Sequence, residues 1–131
     1  MAEIHIANIT PGTWWMTFFR PEEVACKGTG LILLTYDSVS ALRSLDLFRE
    51  KVGISFSPNS AYRSEEHNTA IGGSKNSQHL RGCAFDIPIK PGMSRDVIKK
   101  EAAKVGFTGF GDYDSFVHID TGPERHWDNR T

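Results

Sequence analysis

Ser77-Gln78-His79-Leu80-Arg81-Gly82-Cys83-Ala84-Phe85-Asp86-Ile87-Pro88-Ile89 is the stretch on which the reading of this chain turns. Its first half is polar and runs to Gly82, a residue type that lets the backbone bend tightly. From Ala84 to Ile89 the side chains alternate as in a strand. A histidine before the turn and an aspartate after it therefore lie where loop becomes strand, and small Ala84 allows close packing beside them. Upstream, Gly72-Gly73-Ser74-Lys75-Asn76 has the composition of a loop.

The clearest helix lies over about 39–52, where Val39, Leu42, Leu45, Phe48 and Val52 recur at three- and four-residue steps. Asp37 or Ser38 is expected to cap it and Gly53 to close it. The first 30 residues look largely irregular. Within them, Pro21-Glu22-Glu23-Val24 has the proline-then-acid pattern of a first helical turn, and Thr17 to Phe19 is expected as a short strand. Ile54-Ser55-Phe56 alternates as a strand, and Ser64 opens a short helix at Glu65. Ser94 caps a second amphipathic helix through Val97, Ile98, Ala102 and Val105, stopped by Gly106. Phe116-Val117-His118-Ile119-Asp120 is the last predicted strand. Helices interleaved with strands, without regular βαβ spacing, predict an α+β fold: one domain over 1–131 with a mostly antiparallel sheet flanked by helices.

Bulk properties bound the function. The 131 residues are 39% hydrophobic and 24% charged, with a net charge of -1. No stretch approaches the roughly 18 apolar residues of a membrane span, and no basic or acidic run marks a nucleic-acid surface. Neither partner is expected, and a monomer is. Cys26 and Cys83 belong to no Cys-x-x-Cys pattern, which excludes a cysteine-based zinc knuckle and predicts free thiols. The opening Met1-Ala2-Glu3-Ile4-His5 lacks a basic segment followed by an apolar one, so synthesis in the cytoplasm, with action after release, is the expectation.

Two imidazoles and one carboxylate, His79, Asp86 and His118, suit Zn²⁺, and three protein ligands leave a fourth position for water. Zinc brings the pKa of such a water to about 7. Asp120 follows His118 by two positions and leaves the same face of an extended strand. There it serves either as general acid and base for amide hydrolysis or as the partner that orients His118. The iron triad of an oxygenase uses the same donors, but helices occupy too much of this chain for its many-stranded barrel. Trp127 is expected to tuck the C-terminus onto the body, and His5, His67 and His126 to be ordinary polar residues.

The decapeptide Ser77 to Asp86 fits the pattern S-x-H-x-x-G-x-A-x-D of peptidase family M15, and Phe116 to Asp120 resembles that family's second, histidine-bearing strand. Phe19-Arg20-Pro21-Glu22-Glu23, Ser60-Ala61-Tyr62-Arg63-Ser64 and Gly122-Pro123 are similar to the family's small branch of murein endopeptidases and phage enzymes. The resemblance implies a zinc-dependent D-alanyl-D-alanine carboxypeptidase or endopeptidase acting on peptidoglycan, with a fold similar to that of hedgehog signalling domains. It implies zinc ligation by His79, Asp86 and His118, and substrate contact by Arg63 and Ser77, with Arg63 holding a carboxylate or polarising the carbonyl. The chain departs from the family where relatives carry the catalytic base, having Ser115 and Phe116 at those positions. Asp120 is the expected base and Asp114 the alternative. A zinc-stabilised binding module of the same fold is the other reading.

Overall fold

Helix α2 (Tyr36–Val52) forms where the apolar periodicity predicts, but it starts earlier, because Thr35 and not Asp37 or Ser38 caps it. The Thr35 side chain accepts the Ser38 N–H at 3.0 Å and the Thr35 N–H donates to Ser38 Oγ at 2.7 Å, a reciprocal box that satisfies two orphan donors. Gly53 closes the helix in the left-handed conformation at φ 67°. The computed structural model describes residues 3–10 and 12–131. Met1 and Ala2, which begin the stretch read for a leader, lie outside the described residues.

Ala41, Leu42, Leu45 and Phe48 of α2 are buried in one core with residues of a four-stranded sheet, and α2 packs against α4 (Arg95–Lys104), which contributes Ile98 and Ala102. Ser94 caps α4 as predicted. Two short helices complete the set: α1 (Pro21–Val24), before α2, and α3 (Glu65–Ala70), between α2 and α4 and capped by Ser64. The sheet comprises β3 (Ala84–Pro88), β4 (Gly109–Asp112), β5 (Phe116–Asp120) and β6 (Arg125–Asp128), in the order β3-β5-β4-β6. Only β4 and β6 run parallel, so the sheet is mostly antiparallel and the fold is α+β. The short strands β1 (Glu3–His5) and β2 (Leu31–Leu33) form a separate antiparallel pair.

Two expected strands do not form. The N–H groups of Thr17 and Phe18 donate to the Asp46 carboxylate at 2.7 and 3.1 Å instead of to a neighbouring strand. At Ile54 to Phe56, Lys90 Nζ donates to the Ser55 carbonyl at 2.6 Å, while Phe56 is buried against Phe19 and Phe48. Conversely, β1, β2, β4 and β6 were not anticipated. Gly109-Phe110-Gly111-Asp112 is poor in strand-forming residues, and two- or three-residue apolar patches carry little periodicity. Cys26 and Cys83 are buried free thiols. Among the described residues no helix is long and apolar enough to cross a membrane.

Candidate metal centre

The decapeptide folds as a single turn of 3₁₀ helix over Gln78–Arg81 followed by β3. Ser77 caps that turn, its side chain accepting the His79 N–H at 3.1 Å. Gly82 ends it at φ 69°, with the Ser38 Cβ only 3.0 Å from where its own Cβ would stand. The bend directs His79, 1% exposed, inward beside β3. Register does the rest: Asp86 on β3 stands directly across from His118 on β5.

The three side chains converge. Asp86 Oδ1 lies 3.2 Å from His79 Nε2 and 3.3 Å from His118 Nδ1, and one potential ligand atom from each residue falls within 4.8 Å of the others. Each imidazole is fixed from behind. His79 Nδ1 sits 2.7 Å from the Ala61 carbonyl and His118 Nε2 sits 2.7 Å from Asp120 Oδ2. A carbonyl and a carboxylate can only accept, so each far nitrogen carries a proton, and in the neutral ring the near nitrogen has the lone pair that a bound cation would take in place of the contact with Asp86. Two lone pairs and a carboxylate aimed at one point fit a divalent cation such as Zn²⁺, with outer partners setting both tautomers.

Charge follows the same geometry. Burial lowers the pKa of His79, more than its contacts with Asp86 restore. Burial acts against the Asp86 carboxylate too, but hydrogen bonds from His118 and His79 outweigh it and keep Asp86 ionised far below the usual range. For His118, burial is outweighed by Asp120 and Asp86, and its pKa rises.

The cluster opens onto a cleft of about 560 Å³ whose walls carry Arg63, Ser77, Gln78, Tyr113, Arg125 and Trp127. Arg63 is braced at three nitrogens: Nε donates to Ser60 Oγ at 3.1 Å, Nη1 to Asn68 Oδ1 at 3.2 Å, and Nη2 to Asp86 Oδ2 at 3.5 Å. A guanidinium has five N–H donors, so two remain for a bound molecule.

The two carboxylates weighed as base lie elsewhere. Asp120 is completely buried behind His118, where it also accepts the Gly122 N–H at 2.9 Å and Arg125 Nη2 at 3.0 Å. Asp114 accepts the main-chain N–H and the hydroxyl of Thr131 at 3.0 and 2.7 Å. Neither lines the cleft. The site also includes residues that sequence reasoning did not place there. Trp127 does tuck the C-terminal strand down, but onto the three converging side chains, its ring 4.9 Å from that of His118. Tyr113 joins it through its hydroxyl, 3.1 Å from Trp127 Nε1. The one sequence trace of this arrangement is Gly111, where a Cβ would come within 2.3 Å of the Trp127 ring.

Comparison with known proteins accords with this geometry. The family model described as Peptidase M15 matches residues 16–120. Peptidoglycan L,D-endopeptidase MepK of Escherichia coli strain K12 is 41% identical over 75 residues, covering 52% of this chain and 41% of that protein. Probable peptidoglycan L,D-endopeptidase MepK of Haemophilus influenzae is 37% identical over 73 residues, covering 50% of this chain and 39% of its own length. The match spans less than half the length of these curated relatives.

Proposed function

The chain belongs to peptidase family M15, and from that premise we propose that it is a zinc-dependent peptidase that hydrolyses a peptide bond in peptidoglycan stem peptides or cross-links. The observation that carries this reading is the convergence of His79 Nε2, His118 Nδ1 and the Asp86 carboxylate, with both far nitrogens already satisfied. Zinc bound there supplies a nucleophilic water at neutral pH and a Lewis acid for the carbonyl. The protein's own groups do the rest. Arg63, braced by Ser60 and Asn68, holds Asp86 from its second oxygen and offers its two free N–H groups to a carboxylate or carbonyl of the substrate. Ser77 Oγ accepts the His79 N–H, which leaves its own O–H available to substrate from the cleft wall.

For Asp120, burial behind His118 supports the orienting role over that of base. One relative is named an L,D-endopeptidase and the other a probable one, which favours endopeptidase over carboxypeptidase cleavage here. One observation favours a zinc-stabilised binding module instead: neither Asp120 nor Asp114 faces the cleft.

A single experiment separates the readings. Purified protein is expected to hold about one zinc per chain and to release peptides from purified sacculi, with the cut bond identified by mass analysis of the fragments. His79→Ala should lose both properties. Zinc-saturated wild-type protein that leaves sacculi and synthetic stem peptides intact would sink the peptidase reading and leave the binding module. Stoichiometric iron would exclude zinc as the resident metal.

A further inference from the structure

The hydroxyl of Tyr113 is a spent acceptor with an unspent proton. Trp127 Nε1 lies 3.1 Å from it and Asn129 Nδ2 lies 3.4 Å from it. An indole N–H and an amide NH₂ can only donate, so both lone-pair positions of the oxygen are occupied by incoming hydrogens. The phenolic proton must therefore point away from both, and Tyr113 lines the cleft that holds His79, Asp86 and His118. Trp127 borders both the hydroxyl and the three converging side chains, its Nε1 donating to Tyr113 and its ring resting 4.9 Å from the His118 ring.

The side chain is also held still. Its ring stacks on Phe116 at 4.5 Å and 7°. The Tyr113 N–H donates to the Phe116 carbonyl at 3.1 Å, and the Tyr113 carbonyl accepts from Arg95 Nη2 at 2.8 Å. A donor fixed before charge develops costs no reorganisation when the charge appears, which is the condition under which a single hydrogen bond contributes most to amide hydrolysis.

We propose that Tyr113 is a catalytic residue that donates a hydrogen bond from its hydroxyl to the carbonyl oxygen of the amide under attack, with Trp127 and Asn129 as the positioning residues that aim it. The proton stays on the phenol, and the bond strengthens as the oxygen gains negative charge. Arg63, with two free N–H groups, is then available for the flanking part of the peptide. This inference rests on the peptidase reading above.

Tyr113→Phe tests it, because the ring and its stack on Phe116 are kept. Zinc content and thermal midpoint should match wild type. On the stem peptide that wild type cleaves, kcat should fall by about 10² or more, while KM moves less than about threefold, as for an interaction made only in the transition state. The second readout is binding, by calorimetry, of a phosphinate peptide built on the two residues flanking the cleaved bond. Its affinity should drop in parallel with kcat/KM, while affinity for the cleavage products is unchanged. Trp127→Phe, which removes the N–H but keeps a ring over His118, should show a smaller loss of the same kind. A Tyr113→Phe protein that cleaves within about threefold of wild type overturns the catalytic role and leaves the peptidase intact. One that loses zinc reduces Tyr113 to a structural support of the cluster and also overturns it. Wild-type protein inert on every stem peptide removes the peptidase reading, and the tyrosine's role with it.

Discussion

His79 and His118 offer opposite nitrogens to the same point, Nε2 from one ring and Nδ1 from the other, because their far nitrogens face different acceptors. The difference matters for Asp120. A base in the cleft would be dispensable for metal binding, whereas an aspartate that fixes the His118 tautomer is not. Asp120→Asn is therefore expected to weaken zinc binding by about 10- to 100-fold, read by competition with a chromogenic chelator; unchanged affinity with abolished cleavage would return Asp120 to the role of base. His79 and Asp86 were legible in the sequence because seven residues and one tight turn bring them together. Arg63 was legible from the family pattern around it. Trp127 was not, since only the pairing of β4 with β6 carries it to the cluster and no local spacing records that pairing; Tyr113, in the turn between β4 and β5, was missed because its hydroxyl joins the site through Trp127.

Strand β4 reads as a weak strand because its glycines leave room for neighbours. A Cβ at Gly109 would stand 2.2 Å from Asp120 Oδ1, in the space of a carboxylate that cannot move without releasing His118. Gly109→Ala should thus cost zinc affinity although it alters no ligand, measurable by the same chelator competition, and wild-type affinity would show that the strand can shift instead. At the other end of β4, Asp112 joins α4 through Lys99 Nζ at 2.7 Å and Arg95 Nη1 at 3.2 Å. Burial pushes its pKa up, but the hydrogen bonds from Lys99 and Arg95 outweigh that and hold it below the ordinary value. A carboxyl depressed on folding stabilises above its unfolded pKa, near 3.9, and the stabilisation is lost as pH falls through the folded value. The thermal midpoint of Asp112→Asn should therefore lie below wild type at pH 7, with the gap closing below about pH 4.

Across the whole molecule, one core joins α2, α4 and the inner face of the sheet. The two long helices were legible because their apolar periodicity repeats over several turns, while three-residue strands such as β1 and β2 repeat nothing. Phe48 is fully buried at the centre of that core, against Phe56. Phe48→Ala should cost about 3–5 kcal/mol, read from denaturant unfolding of the metal-free protein; a loss below about 1 kcal/mol would mean that the site collapses around the gap. The pairing of β3 with β5 has a consequence in time as well as in space. Asp86 and His118 are separated in the chain by α4 and β4, so the third ligand arrives through a long loop closure. Metal capture should then be a late event in refolding, lagging the recovery of helical circular dichroism in a stopped-flow trace. The zinc ion would act as a latch on a nearly finished sheet and would slow unfolding more than it speeds folding.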